Sequence, residues 1–182
     1  MRNVDKTLVL VGMMGARKTS VGRRLASVLG VPFRDADAEI ELAAGCTINE
    51  IFERFGEPAF RDGERKVIAR LLTERPHVLA TGGCAFMDPE TRERIKESAI
   101  SIWLKANTEL LLERVLRKDT RPLLRNTDSR AALERLLMER ESVYAQADIT
   151  VESDDGPHDA VIRRILAALD ARRVKEHPEA RP

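Results

Sequence analysis

Residues 12–19 read Gly12-Met13-Met14-Gly15-Ala16-Arg17-Lys18-Thr19. The apolar run of residues 7–11 precedes them and a helical pattern follows, so the order predicts a strand, a tight loop and a helix. Backbone N–H groups in such a loop, together with the open N-terminus of the next helix, bind anions. A lysine at the end of the loop reaches terminal phosphates, and the hydroxyl beside it holds Mg²⁺. The stretch therefore predicts a phosphate-binding loop.

One position departs from the usual pattern of such loops, G-x-x-x-x-G-K-[ST], which has glycine where this chain has Arg17. The other motif positions stand at the expected offsets, and the strand and helix lie on the expected sides. We therefore predict nucleotide binding here rather than an ordinary turn between a strand and a helix. The nucleotide contacts expected from the loop are those of Gly12, Gly15, Ala16, Arg17, Lys18, Thr19 and Ser20.

The bulk composition narrows the class of protein. The chain has 182 residues, a formal net charge of +1, and 43% hydrophobic and 34% charged residues. This balance is typical of a soluble globular protein, and the length predicts a single domain over residues 1–182. A charge near zero gives no field that recruits nucleic acid or a membrane. The two cysteines, Cys46 and Cys84, make neither a disulfide framework nor a zinc set. We expect a cytoplasmic monomer without a signal peptide.

Apolar runs alternate with helical patterns along the whole chain, which predicts an α/β fold with a parallel sheet and helices on both faces. The first helix, residues 19–29, is expected to end at Gly30, and a short strand is expected over residues 31–35. That strand brings Asp35 and Asp37 to the edge of the sheet where ligands collect in open α/β folds.

Phosphoryl transfer needs positioning, charge neutralisation and an aligned acceptor, and the sequence has a candidate for each. Lys18 would hold the terminal phosphates, Thr19 would bind Mg²⁺, and Asp35 would contact that ion through water. Asp37 would accept the proton of the attacking hydroxyl. The alternative for the two aspartates is that they only begin a helix, where acidic residues are favoured. Beside a phosphate-binding loop we favour the functional interpretation.

Two later helices carry charges on stripes that are otherwise apolar. Arg61 and Glu64 lie on such a stripe in the helix expected over residues 58–74, and Arg140 lies on another in the helix expected over residues 128–145. Inward arginines from separate helices suit bidentate binding of a carboxylate, and Glu64 can hold Arg61 in place. The alternative is a structural network of ion pairs.

Two loops complete the set of candidates. Gly82-Gly83 follows the strand expected over residues 77–81 and would let a substrate approach the backbone closely, with a plain turn as the alternative. The basic segment at residues 117–126, which carries Arg121, predicts an exposed lid that closes over ATP and stabilises the transferring charge. A solvated loop is the alternative. The three histidines are expected at the surface or at strand edges, without a role.

Taken together, these residues resemble shikimate kinase from about Lys6 to about Ala168. The matching pieces, in chain order, are Leu10-Val11-Gly12-Met13-Met14-Gly15 with Lys18-Thr19, Asp35-Ala36-Asp37 with Glu39-Ile40-Glu41, Phe60-Arg61 with Glu64, Gly82-Gly83, Arg121-Pro122-Leu123-Leu124, and Arg140 with Tyr144. The resemblance implies a three-layer α/β/α P-loop kinase fold with a five-stranded parallel sheet in the order 2-3-1-4-5. It also implies transfer of the γ-phosphate of ATP to the 3-hydroxyl of shikimate, a step of aromatic amino-acid biosynthesis.

On the substrate side, the resemblance implies that Asp37 contacts the acceptor hydroxyl and is the base. It implies that Arg61 and Arg140 hold the shikimate carboxylate and that Gly82-Gly83 packs against the ring.

On the nucleotide side, the resemblance implies that Arg121 reaches the phosphates and acts in catalysis with Lys18, and that Arg117 stacks on adenine. The turn at residues 154–157 resembles the adenine-side loop of the family, with Pro157 as the contact.

Two positions depart from the family, which has glycine where this chain has Arg17 and a third glycine where it has Cys84. If φ at Arg17 is positive, its Cβ costs about 1–2 kcal/mol. Its side chain would then either crowd the phosphates or point outward and add positive charge. Cys84 would lie beside the substrate and narrow the pocket or raise KM.

An active shikimate kinase is the main hypothesis. One alternative is a nucleotide-binding protein of this fold with impaired or lost catalysis. The other is a kinase for another small hydroxy-carboxylate, a polyol or a nucleotide.

Overall fold

The computed structural model describes residues 4–116 and 129–176, and strands alternate with helices through both ranges. The strands are β1 (Thr7–Val11), β2 (Phe33–Asp35), β3 (Val78–Ala80), β4 (Ala99–Lys105) and β5 (Ile149–Glu152). The helices are α1 (Lys18–Leu29), α2 (Ala36–Ala44), α3 (Ile48–Leu71), α4 (Pro89–Ser98), α5 (Thr108–Leu116), α6 (Ser129–Tyr144) and α7 (His158–Glu176). Among the helices of these two ranges, none has the length and apolarity needed to cross a membrane.

The five strands form one parallel sheet in the order β2-β3-β1-β4-β5, which confirms the predicted fold. β1 lies at the centre, where Leu8 pairs with Val78 on one side and with Ile100 on the other. All five residues of β1 are buried. A strand covered on both faces carries apolar residues without alternation, which explains the continuous apolar run before the phosphate-binding loop. Helices cover both faces of the sheet, so the architecture is α/β/α.

The segment between β2 and β3 forms α2 and the long helix α3. Thr47 and Glu50 form a capping box at the start of α3: each side chain accepts a hydrogen bond from the backbone N–H of the other residue, at 3.2 and 2.8 Å. Gly56 interrupts α3 with φ 79° and ψ 173°, two residues before Pro58. The helix that the sequence predicts over residues 58–74 thus begins after this break. The second half of α3 ends at Leu71, three residues before the predicted end.

The expectation that the histidines lie at the surface or at strand edges is wrong for His77, which is 1% exposed. Its Nδ1 lies 2.9 Å from the carbonyl oxygen of Arg75 and 3.3 Å from Thr7 Oγ1. The physical reason is the position of β3 between β2 and β1: the residue that leads into an interior strand is covered by its neighbours. The carbonyl oxygen of His77 accepts from Leu8 N–H at 2.9 Å and so extends the pairing with β1.

Candidate active site

The predicted phosphate-binding loop connects β1 to α1, and its lysine is the first residue of the helix. Lys18 is 9% exposed, and its Nζ donates to the carbonyl oxygens of Gly12 at 2.6 Å and Met13 at 2.9 Å. The N–H of Ala16 donates to the Met13 carbonyl oxygen at 3.2 Å and tightens the loop. The loop thus curls around a lysine ammonium at the start of a helix, where the first backbone N–H groups have no partner within the helix. Such an arrangement suits phosphate binding.

Thr19 and Ser20 are exposed in the first turn of α1, and Thr19 reaches the end of β2. Its Oγ1 donates to Asp35 Oδ2 at 2.8 Å, while Asp35 Oδ1 accepts from the N–H of Asp37 at 3.1 Å. Asp35 therefore caps α2, as the structural alternative expects, and also contacts the phosphate-binding loop. A hydroxyl and a carboxylate in contact fit Mg²⁺, which takes one or two protein oxygens and completes its shell with phosphates and water.

Asp37 and the buried Glu64 both approach Gly82, which follows β3. A Cβ at Gly82 would stand 3.0 Å from Glu64 Oε1 and 3.1 Å from Asp37 Oδ1, so a side chain there would crowd both carboxylates. Burial is the largest cause that raises the pKa of Glu64; the charges of Asp37 and Asp88 raise it further, and Arg61 opposes them. The exposed Asp37 therefore stands beside a carboxyl group whose charge the protein must neutralise.

Arg61 neutralises that charge. Its Nη1 donates to Glu64 Oε2 at 2.9 Å, and its Nε and Nη2 donate to Glu57 Oε1 at 3.2 and 3.1 Å. Burial lowers the pKa of the Arg61 guanidinium, but the hydrogen bond and charge of Glu64 outweigh burial, and the pKa is raised overall. Glu64 holds Arg61, as the sequence predicts; the second carboxylate, Glu57, escaped the sequence analysis. The guanidinium also lies 5.0 Å from the centre of the Phe60 ring.

Arg140 and Tyr144 occupy one face of α6. Arg140 Nη1 is buried and has no hydrogen-bond partner within the two ranges that the structure describes. Tyr144 is fully buried; its hydroxyl donates to the carbonyl oxygen of Gly83 and lies 3.7 Å from Met13 Sδ. Tyr144 thereby joins α6 to the glycine turn after β3 and to the phosphate-binding loop.

A cavity of about 400 Å³ brings the two predicted arginines together. Arg61 and Arg140 line it from α3 and α6, and Cys84 lines it from the turn after β3. The backbone of Cys84 has φ −102° and ψ −10°, which any residue adopts, so the cysteine causes no backbone strain at the position where the resemblance implies glycine. The predicted inward positions of the two arginines therefore converge on one space, which the half-buried thiol borders.

Arg17 has φ 65° and ψ 27°, the left-handed conformation that the sequence analysis considered. It is the one non-glycine residue with positive φ among residues 4–116 and 129–176. Its Nη2 lies 3.2 Å from Asp155 Oδ1, in the turn between β5 and α7. The side chain is thus engaged outside the loop.

Arg114 contacts the phosphate-binding loop, although the sequence analysis gave it no role. Its Nη1 donates to the Gly15 carbonyl oxygen at 3.1 Å and its Nη2 to the Asp154 carbonyl oxygen at 2.8 Å. Burial, and next the charge of Arg17, lower the pKa of the Arg114 guanidinium. Arg61 was identified as a charged residue on an otherwise apolar stripe of a helix. Arg114 has the same pattern, because it lies three and four residues after the buried Leu111 and Leu110.

The other predicted nucleotide contacts are only partly described. Pro157 is exposed in the turn after β5. Arg117 and Arg121 lie outside the described residues.

Comparison with known proteins agrees with this geometry. The shikimate kinase family model matches residues 14–170. The shikimate kinase of Caulobacter vibrioides is 61% identical over 164 residues, 90% of this chain and 82% of the relative; that of Paramagnetospirillum magneticum is 55% identical over 166 residues, 91% and 85% of the two chains. The solved shikimate kinase of Acinetobacter baumannii in complex with shikimate has a TM-score of 0.88 and 39% identity, over 93% of this chain and 95% of that one. The chain belongs to the shikimate kinase family.

Proposed function

We propose that this protein is a shikimate kinase, which transfers the γ-phosphoryl group of ATP to the 3-hydroxyl of shikimate. Family membership supports the reaction, and the bound ligand of the Acinetobacter baumannii relative supports the acceptor. The conclusion applies to this chain because the cavity, the phosphate-binding loop and the two aspartates occur together in it.

The observation that carries the proposal is the cavity that Arg61 and Arg140 share. Two guanidinium groups on one cavity fit a carboxylate, because each presents paired N–H donors. Arg61 is already oriented by Glu57 and Glu64, whereas Nη1 of Arg140 is buried without a partner in the described part of the chain. A substrate carboxylate would satisfy that donor.

Asp37 is the proposed base. It lies beside Gly82, where a side chain would crowd the Asp37 and Glu64 carboxylates, and Cys84, two residues on, lines the cavity of the two arginines. Gly82 and Gly83 stay proposed contacts to the ring of the acceptor. The acceptor oxygen forms a bond to the γ-phosphorus, the bond from that phosphorus to the bridging oxygen breaks, and the hydroxyl proton moves to an Asp37 carboxylate oxygen. ADP leaves with the bridging oxygen.

Lys18 and the backbone N–H groups of the loop would hold the β- and γ-phosphates. Thr19 and Asp35 would hold Mg²⁺, which neutralises phosphate charge when bound. Arg121 and Arg117, which lie outside the described residues, stay proposed contacts to the transferring group and to adenine.

The experiment is ADP release by the purified protein with Mg-ATP, with and without shikimate, followed by identification of the phosphorylated product. Turnover at about 1–100 s⁻¹ that depends on shikimate is expected for a kinase of this type. The methyl ester of shikimate is the matched control, since it keeps the hydroxyls and removes the carboxylate charge. Strong use of the ester, of a neutral sugar or of a nucleoside monophosphate would contradict the assigned acceptor.

The absence of turnover in a folded protein would instead favour binding without catalysis. The strained Arg17 and the bulk of Cys84 are the observations behind that alternative. Replacing both residues by glycine would then restore turnover if they are the cause.

We also propose that the protein acts as a cytoplasmic monomer of one domain. The cavity and the phosphate-binding loop are built on one five-stranded sheet and its helices, which supports a single domain. Light scattering after size exclusion, at the concentration used for the assay, tests the monomer: a mass of two chains would contradict it.

A further inference from the structure

We infer that Arg17 is a positioning residue for nucleotide binding, which holds the turn between β5 and α7 against the phosphate-binding loop through Asp155. This inference rests on the proposed function, because it takes the loop to be the nucleotide site. It assigns a role to the residue that stands where the general pattern of such loops has glycine.

Three separate contacts join the turn to the loop. Ser153 Oγ donates to the carbonyl oxygen of Ala16 at 3.3 Å. The Arg114 guanidinium bridges the carbonyl oxygens of Gly15 and Asp154. The third contact is the ion pair of Arg17 with Asp155, at 3.2 Å. Three consecutive loop residues, 15 to 17, are therefore tied to three consecutive residues of the turn, 153 to 155.

The ion pair of Arg17 differs from the other two contacts because it joins two side chains. In the other two contacts the acceptors are backbone carbonyl oxygens of the loop and the turn. Such acceptors are present whatever the residue at the position. The ion pair needs an arginine in a conformation that glycine adopts more easily. The residue tolerates the left-handed backbone and reaches across to a segment 138 positions away in the chain. Replacing Arg17 removes this tie alone, whereas replacing Asp155 also removes the longer contact of Asp155 with Arg114.

Neighbouring acidic residues are paired with other arginines. Asp159 pairs with Arg24 at 2.7 Å, and Asp154 pairs with Arg164 at 2.6 Å. Asp155 instead contacts two guanidinium groups, that of Arg17 at 3.2 Å and that of Arg114 at 3.7 Å. It therefore joins the arginine of the loop to the arginine that bridges the loop and the turn.

Replacement of Asp155 distinguishes a positioning role of Arg17 from direct contact of Arg17 with phosphate. If Arg17 works by holding the turn, neutralising Asp155 breaks the tie and weakens nucleotide binding. If Arg17 instead binds phosphate, neutralising Asp155 frees the guanidinium and strengthens binding. The sign of the change at Asp155 therefore decides between the two roles.

The test is calorimetric titration of the full chain with Mg-ADP, which needs no acceptor. Asp155→Asn and Arg17→Met, which keeps a side chain of similar length, are each expected to weaken binding by about two- to fivefold. The double variant is expected to bind no more weakly than Asp155→Asn alone, because Asp155→Asn already removes the tie that Arg17→Met removes. Arg17→Lys keeps the charge and is expected to retain most of the affinity. Glu90→Gln removes a comparable exposed pair, with Arg94 on α4, and is expected to have no effect.

Steady-state kinetics supply a second readout, which a merely structural loss would not reproduce. The KM for ATP is expected to rise in Asp155→Asn while kcat and the KM for shikimate stay unchanged. Unchanged or tighter Mg-ADP binding by Asp155→Asn, or additive losses in the double variant, would overturn the inference. A wild-type protein that binds Mg-ADP but does not phosphorylate shikimate would refute the proposed reaction, and the Mg-ADP titrations would still decide the role of Arg17.

Discussion

Tyr144 is the only tyrosine of the chain, and its ionisation can therefore be followed directly. Burial raises the pKa of its hydroxyl to about 12, from an ordinary value near 10.0. Between these two values the native state binds more protons than the unfolded state, so the free energy of unfolding should fall as the pH rises through this window. Ultraviolet titration should give a midpoint near pH 12 in the folded protein and near pH 10 in urea. A midpoint near 10 in the folded protein would show that Tyr144 is not buried.

At Asp37, replacement by asparagine keeps the shape and removes the proton acceptor. We expect kcat to fall by about 10²–10⁴-fold, because that is the usual contribution of a general base, while the affinity for Mg-ATP changes little. Single-turnover kinetics and nucleotide titration separate the two quantities. Asp62→Asn, at a half-exposed position of α3, is the control and should leave both unchanged. Equal losses of kcat and nucleotide affinity in Asp37→Asn would count against a base.

Within α3, two glycines have opposite requirements. Gly56 has φ 79° and ψ 173°, a region that residues with a Cβ avoid, so Gly56→Ala should lower the free energy of unfolding by about 1–3 kcal/mol. Gly63 lies in the helical second half, where an added Cβ meets no atom within 4 Å. Gly63→Ala should therefore raise the free energy of unfolding by about 0.5–1 kcal/mol. Urea denaturation measures both, and a similar change at the two positions would refute the break in α3.

The same helix shows what sequence patterns predict well and where they fail. The start of the predicted helix over residues 58–74 depends on residues a few positions apart, and the break at Gly56 separates that helix from the first half of α3. The burial of His77 depends on the strand that pairs with its neighbours, about 70 positions earlier in the chain. No local pattern carries that information, and the prediction for His77 was wrong.

For the whole molecule, the residue patterns predict the parallel sheet and the phosphate-binding loop, and the order of strands follows from the family resemblance. The spatial grouping of side chains could only be suggested. Charges on apolar stripes marked Arg61 and Arg140 as inward residues, but their shared cavity depends on how α3 and α6 pack. Arg114 has the same pattern but was not predicted. The basic segment that follows it offered Arg117 and Arg121 as the arginines that contact the nucleotide. Glu57 was missed because an exposed carboxylate on a helix usually has no specific role.

Nucleotide binding should stabilise the whole fold, because the phosphate-binding loop that surrounds Lys18 is also tied to the turn after β5. At a Mg-ADP concentration of about 100 Kd the expected gain is about 2.7 kcal/mol, or about 5–10 °C in Tm for a chain of this length. Lys18→Ala should lose this shift and all turnover while its circular dichroism spectrum stays native. Lys66→Ala, at an exposed site on α3, is the matched control. A full shift in Lys18→Ala would contradict the assigned loop.

The thiol of Cys84, which lines the same cavity as two guanidinium groups, makes the cavity open to charge-selective covalent labelling. Iodoacetate carries a carboxylate and should be drawn towards Arg61 and Arg140, whereas neutral iodoacetamide gains nothing from them. The rate with iodoacetate divided by the rate with iodoacetamide should therefore be larger at Cys84 than at Cys46, the other free cysteine. Peptide mass spectrometry measures both rates. Equal ratios at the two thiols would argue against a cationic surrounding. A selective label at Cys84 would also report occupancy of the cavity in cells, without any need for turnover.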